Sequence, residues 1–269
     1  MNRPINEAKV VFLGDGFMAS AIIDGMVQSG AYPAKNIYVK GIIPEKTAAL
    51  AEKYGLNLAK DGDVTSADIV VLAFKPQGLG DAAKMYAPLI KEGTTVISIL
   101  AGITISTLEK LFAGTKIVRV MPNLALSVGV GASGYSLGTL AEESDALATE
   151  AMFGGTGITA RVEEEKLADV MALSGSGPAY FCLMCEELMR YANECGLEGD
   201  TARRFAVQTL LGAAKLSAVD NDPATVRARI TSPGGTTNAA ICAMQDAGFA
   251  EIIEKGYDAC KRRGEELAK

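Results

Sequence analysis

Lys9-Val10-Val11-Phe12-Leu13-Gly14-Asp15-Gly16-Phe17-Met18-Ala19 decides the reading of the N-terminal half of the chain. Residues 9–13 form a short apolar run of strand type. From Phe17 the apolar residues recur at helical spacing to Gln28, and Gly30 closes the pattern. A strand, then G-x-G-x-x-A, then a helix is the dinucleotide-binding fingerprint in its proper context. Gly14 makes the tight turn, Gly16 admits a pyrophosphate, and Ala19 keeps the helix close to the sheet. Phe17 and Met18 open the helix, whose free N–H groups and dipole favour an anion. Asp15 is an awkward neighbour for a phosphate, so its side chain is expected to point away.

The alternation continues outward from there. Strands are expected at 36–39, 56–58, 69–74, 95–99 and 117–121, with helices at 44–54, after Gly78, and at 104–111. Alternating strands and helices mean a parallel sheet covered on both faces, and near-continuous Val, Ile and Leu in the strands fits that burial. Residues 129–138 are glycine-rich and alternating and read as an edge strand. A helix at 142–153 and a last strand at 158–162 follow. Beyond Val162 only helical patterns remain, at 164–172, 178–195, 200–219, 223–230, 237–247 and 250–267. The fold expected is α/β: a Rossmann-type doubly wound sheet over 1–162, followed by an all-α domain over 163–269. Ligands of such sheets sit at the carboxyl ends of strands. That places Gly14, Gly16, Phe17, Met18, Lys40, Ala73, Phe74, Lys75, Pro76 and Asn123 among the cofactor-binding candidates.

Two loops of the helical half stand out. Thr231-Ser232-Pro233-Gly234-Gly235-Thr236-Thr237 lies between two helical patterns. Ser232 and Pro233 turn the chain, Gly234 and Gly235 leave the backbone uncovered, and Thr236 and Thr237 begin the next helix. Such a site can present N–H groups and a positive helix end to a small carboxylate. An interhelical turn with good capping residues would have the same composition. Leu173-Ser174-Gly175-Ser176-Gly177-Pro178 joins two further helices, with Pro178 in the first turn and Ser176 or Gly177 at the cap. The helix after it is apolar on more than one face, through Tyr180, Phe181, Leu183, Met184, Leu188 and Met189. A small helical domain has little room to bury it, which implies a subunit partner.

Composition narrows the function classes. The chain has 269 residues, is 49% apolar and 22% charged, and carries a net charge of −6 with Lys and Arg scattered. That argues for folded domains and against a nucleic-acid partner or a polybasic membrane patch. The start lacks an apolar signal region and no apolar run approaches membrane-spanning length, so the expected location is cytoplasmic. The chain has no histidine, which removes every mechanism that needs an imidazole. Cys182 and Cys185 have C-x-x-C spacing but lie in an apolar helical stretch and read as core residues. Cys195, Cys242 and Cys260 are isolated, no zinc spacing appears, and no metal is expected.

Together these motifs resemble the pyrroline-5-carboxylate reductase family over nearly the whole chain. The likeness runs through Gly14-x-Gly16-x-Met18-Ala19, Lys75-Pro76-Gln77, Val118-Arg119-Val120-Met121-Pro122-Asn123, Ser174 to Tyr180 and Thr231 to Thr237. It implies a nicotinamide cofactor, a helical dimerisation domain, a homodimer or ring of dimers, and reduction of 1-pyrroline-5-carboxylate to L-proline. It also implies that Ser232, Gly234, Gly235, Thr236 and Thr237 hold the substrate, a cyclic imino acid, with Ser176 nearby. Thr237 is then the catalytic residue, its hydroxyl meeting the ring nitrogen. The chain departs from the family pattern at Gly41-Ile42, where an Asn-Arg pair is usual, at Gly62, and at Leu124-Ala125. The end of strand two carries no acid, so the expected cofactor is NADPH, helped by Lys40 and Lys46, with NADH as the second option. Two alternatives accompany this reading: a reductase of another cyclic imine, and a nucleotide-binding paralogue without turnover. A β-hydroxyacid dehydrogenase would need a lysine on the helix over 178–194, and none is there.

Overall fold

The computed structural model describes residues 4–197 and 199–267. Residues 1–3, part of the start read as lacking a signal region, lie outside the described residues. Tertiary contacts divide the chain into two units, Met1–Gly175 with Cys260–Lys269, and Ser176–Ala259.

The first unit alternates strand and helix from its start. β1 (Val10–Leu13), α1 (Phe17–Ser29), β2 (Ile37–Lys40), α2 (Pro44–Tyr54), β3 (Asn57–Leu58), α3 (Asp61–Thr65) and β4 (Ile69–Leu72) make its first half. α4 (Leu79–Tyr86), β5 (Thr95–Ser98), α5 (Ile105–Leu111), β6 (Lys116–Met121), β7 (Gly131–Leu137), α6 (Glu143–Gly154) and β8 (Gly157–Arg161) complete the sheet. The strand order is β3-β2-β1-β4-β5-β6-β7-β8, the doubly wound order with its reversal between β1 and β4. Neighbours pair in parallel except β6 and β7. β1 shows why both faces are closed: Val10 and Phe12 join one buried cluster with Ile22, Ile23 and Met26, while Val11 and Leu13 join another with Leu79, Leu108 and Phe112. Period-two alternation sends neighbours to opposite faces. Each such fully buried side chain contributes about 1.5–3 kcal/mol.

Two expectations fail here. The glycine-rich strand is not an edge: β7 lies between β6 and β8, and β8 is the edge. Its glycines serve close approach, since a Cβ on Gly134 would stand 2.8 Å from the Val170 methyls. The stretch 164–172 is not one helix either. It winds as a 3₁₀ turn (Glu164–Lys166), a single α turn, α7 (Leu167–Val170), and a π turn (Met171–Gly175). The Ser174 hydroxyl donates to the Val170 carbonyl at 2.9 Å, from the π turn back to the last residue of α7. Strands end at Arg161, but these windings pack on β7 and stay with the first unit, so the division by contacts falls between Gly175 and Ser176. Lys261 belongs to the first unit too, its ammonium 2.6 Å from the Asp169 carboxylate.

The second unit is helical. It contains α8 (Gly177–Glu194), α9 (Gly199–Asp220), α10 (Pro223–Ile230), α11 (Thr236–Asp246) and the greater part of α12 (Phe249–Leu267). α8 packs on α9 and α9 on α10. Asp222 caps α10, accepting from the N–H groups of Ala224 and Thr225, and Pro223 takes the first helical position. In the single chain α8 and α9 leave large apolar side chains exposed: Phe181, Leu183, Leu188, Tyr191 and Phe205. The same exposure corrects the cysteine reading, for Cys185 is buried but Cys182 is exposed. Among the described residues no helix is long and apolar enough to cross a membrane.

Candidate functional site

The glycine loop after β1 is shaped by what stands beside it. Leu13 pairs in register with Lys40 on one side and Leu72 on the other. Gly14 then takes φ +117° and donates its N–H to the Lys40 carbonyl at 2.8 Å. A Cβ on Gly14 would lie 2.3 Å from the Ala73 carbonyl oxygen, so both space and conformation demand glycine. The Ala73 N–H donates to the Leu13 carbonyl at 2.8 Å, which keeps β1 and β4 in line past their ends. Gly16 caps α1 without any side-chain hydrogen bond, and a Cβ there would meet nothing nearer than 4.0 Å. The first turn of α1 holds no acid. The result is an open, positive helix end at the topological switch point, a cradle that fits a pyrophosphate. Phe17 is exposed and Met18 partly buried at its rim. On the β4 side Phe74 is half-buried, Lys75 exposed, and Pro76 begins a 3₁₀ turn.

The end of β2 differs from expectation. Lys40 is not a free cation: its ammonium lies 2.5 Å from an Asp61 carboxylate oxygen and 5.6 Å from the centre of the Tyr86 ring. An acid is also present there, although β2 itself supplies none. Asp15 turns its carboxylate to the end of β2, where the Thr47 hydroxyl donates to Oδ2 at 2.7 Å and Lys46 stands 3.7 Å from Oδ1. A Cβ on Gly41 would lie 2.2 Å from Asp15 Oδ2. The missing side chain at Gly41 leaves the room that the Asp15 carboxylate takes.

Asn123, at the carboxyl end of β6, is buried and engaged at both ends of its amide. It donates from Nδ2 to the Ser174 carbonyl at 2.9 Å and accepts at Oδ1 from the Ala132 N–H at 3.1 Å. Its visible task is to hold the loop before Leu124 against β7 and the π turn.

The second unit holds the other candidates. The Gly235 N–H donates to the Ser232 carbonyl at 3.0 Å, and Gly234 has φ +70°. With Pro233 ahead of Gly234 this is the arrangement of a type II turn. The Gly235 N–H is therefore spent inside the turn and is not offered to a ligand, contrary to the sequence reading. A Cβ on Gly235 would meet Ser232 Oγ at 2.5 Å. Gly235 caps α11 with no side-chain hydrogen bond, and the first turn of α11 has no acid. The N–H groups at the start of α11, on Thr236, Thr237 and Asn238, are the ones placed for an anion. Asn238, not among the sequence candidates, adds its first-turn N–H to this helix end. Ser176 sits just before α8, its carbonyl accepting from the Ala179 N–H at 2.9 Å.

Sequence and fold comparisons agree on the relationship. Residues 164–267 match the model for pyrroline-5-carboxylate reductase dimerisation, and residues 9–102 match that for NADP oxidoreductase, coenzyme F420-dependent. The chain is 37% identical over 265 residues to pyrroline-5-carboxylate reductase 2 of Bacillus subtilis, covering 96% of this chain and 95% of that one. The chain belongs to the pyrroline-5-carboxylate reductase family. Two solved structures of the family carry the same fold. That of Coxiella burnetii superposes with a TM-score of 0.92 at 32% identity, covering 98% of this chain and all of that one (100%). That of Plasmodium falciparum, solved with NADP bound, gives 0.84 at 25% identity, covering 98% and 100%. The dimerisation match covers the helices whose apolar faces lie open in the single chain.

Proposed function

We propose that this reductase converts 1-pyrroline-5-carboxylate to L-proline, taking a hydride from NAD(P)H. The observation that carries the reading is the pair of uncapped, acid-free helix ends. One sits at Gly16 beside a glycine that nothing else can replace, and the other at Gly235 behind a tight turn. The first suits a pyrophosphate and the second a small carboxylate.

The dinucleotide, when bound, supplies the hydride. Gly14, Gly16, Phe17 and Met18 would hold its phosphates through backbone, with Ala73, Phe74, Lys75 and Pro76 along the other side of the switch point. At the start of α11 the N–H groups of Thr236, Thr237 and Asn238 hold the substrate carboxylate. Each charge-assisted bond there contributes about 1.5–3 kcal/mol. Ser232, Gly234 and Gly235 keep those groups in place by the turn they form, and Ser176 lines the substrate. The Thr237 hydroxyl meets the ring nitrogen and orients the ring. A protonated cyclic imine is already a strong electrophile, so the protein's part is position and charge. The same reading makes the chain a cytoplasmic homodimer, or a ring of dimers, formed through the open apolar faces of α8 and α9. It acts on a small molecule, with no nucleic acid and no membrane as partner.

The test is oxidation of NADPH and NADH by the purified chain with 1-pyrroline-5-carboxylate, and with the six-membered analogue beside it. Turnover with the five-membered ring supports the reading. Turnover with the six-membered ring alone makes this a reductase of another cyclic imine, and no turnover with either leaves a nucleotide-binding protein.

A further inference from the structure

We propose that Asp15 selects the cofactor, and that this reductase binds NAD(H) in preference to NADP(H). The inference rests on the nicotinamide reading above and adds a specificity-determining residue to it. Selection of the unphosphorylated ribose ordinarily needs a carboxylate at the end of β2, where it accepts from the 2′-hydroxyl. β2 ends in Lys40-Gly41-Ile42-Ile43, without an acid. The space is filled from the loop after the neighbouring strand instead. Because β1 and β2 are adjacent and parallel, and Gly14 is bonded to the Lys40 carbonyl, the next residue along, Asp15, can reach across. Its carboxylate lies against Gly41 so closely that a side chain there would overlap it.

The carboxylate is held, not swinging. Its side chain is 13% exposed, the Thr47 hydroxyl donates to Oδ2, and Lys46 stands beside Oδ1. Oδ1 has a lone pair left for a hydroxyl donor. A phosphate offers no such donor at this place and brings like charge, which a poorly hydrated carboxylate resists. The cations that might offset this are engaged: Lys40 with Asp61, and Lys46 with Asp15 itself. Each of the two cations is thus set against an acid, and neither brings an unmatched positive charge to the end of β2. Ile42 and Ile43, both exposed, bring no donor side chain. While it pairs with Asp61, Lys40 has less charge to offer a 2′-phosphate.

The experiment is titration calorimetry of the full-length chain with NAD⁺, NADP⁺, 5′-AMP and 2′,5′-ADP, on the parent, Asp15→Asn and Asp61→Asn. The parent should bind NAD⁺ more tightly than NADP⁺ by about tenfold. Asp15→Asn keeps an acceptor for Thr47 and should narrow that ratio to about twofold, mainly by tightening NADP⁺. Asp61→Asn is a surface change that frees Lys40. It should tighten NADP⁺ and 2′,5′-ADP at low salt and lose the gain at high salt. Thermal melts show that each variant is folded. Tighter binding of NADP⁺ by the parent, or an unchanged ratio in Asp15→Asn, overturns the role of Asp15 and leaves the reductase reading intact. Binding of neither dinucleotide overturns both.

Discussion

The side-chain amide of Asn123 donates to the backbone carbonyl of Ser174 at 2.9 Å, tying the end of β6 to the π turn that closes the first unit. The same amide accepts from Ala132 in β7. One buried side chain thus joins three segments of backbone. Asn123→Ala leaves a carbonyl and an N–H without partners, at about 1–3 kcal/mol each. The variant should melt at a clearly lower temperature and expose the 171–176 segment to protease. An unchanged melt and cleavage pattern would show that water replaces the amide freely.

Gly14→Ala should be damaging out of proportion to one methyl. The residue has φ +117°, and the new Cβ would fall 2.3 Å from the Ala73 carbonyl oxygen. Strain of this kind costs about 1–3 kcal/mol before the clash is counted. The chain must shift at β1 or β4, so affinity for both dinucleotides should fall together. Calorimetry showing parent-like affinity would mean the cradle is softer than its geometry.

Thr237→Val removes the hydroxyl and keeps the backbone N–H. If that hydroxyl meets the ring nitrogen, kcat should drop by roughly ten- to a hundredfold while KM for the substrate changes little, because the loss is felt mainly in the transition state. Thr237→Ser should recover most of the rate. Equal rates for the Val variant and the parent would take Thr237 off the catalytic list.

The open apolar face predicts the assembly. Phe181 and Leu188 lie seven residues apart on α8, on one helix face, and are 62% and 51% exposed in the single chain. Phe181→Asp with Leu188→Asp should turn a dimer into a monomer in light scattering at micromolar concentration. A parent that is already monomeric would remove the interface.

Acid stability has a local origin near β1. The Lys9 ammonium, first, and the Lys60 N–H hold the Asp63 carboxyl below its ordinary value of 3.8. A lowered folded pKa stabilises the fold above the unfolded value, and that stabilisation is lost as pH falls through the folded one. Asp63→Asn should therefore melt lower than the parent at neutral pH, with the gap closing as pH drops below 3.8. A gap that stays constant with pH would assign the effect to hydrogen bonding alone.

What the sequence determined by itself was everything that repeats or punctuates locally. The apolar run of β1, the glycine loop and the cap at Gly16 were legible because strand period, turn chemistry and helix start are written within a few residues. So were α2 and α10, whose limits fall where Pro44, Gly55 and Pro223 put them. Tertiary structure alone decided where the polar side chains went. Asp15 meets Thr47, Lys40 meets Asp61 and Asn123 meets Ser174, partners separated by 32, 21 and 51 residues. No periodicity encodes those pairings, for they depend on which strands become neighbours. The same holds for β7: its glycines looked like an exposed edge, and only the arrival of β8 and Val170 showed that they make room. Even Gly235 needed three dimensions. Its composition promised a free N–H, but the turn through Pro233 and Gly234 folds that N–H back onto Ser232, because a buried or crowded donor takes the nearest carbonyl it can reach.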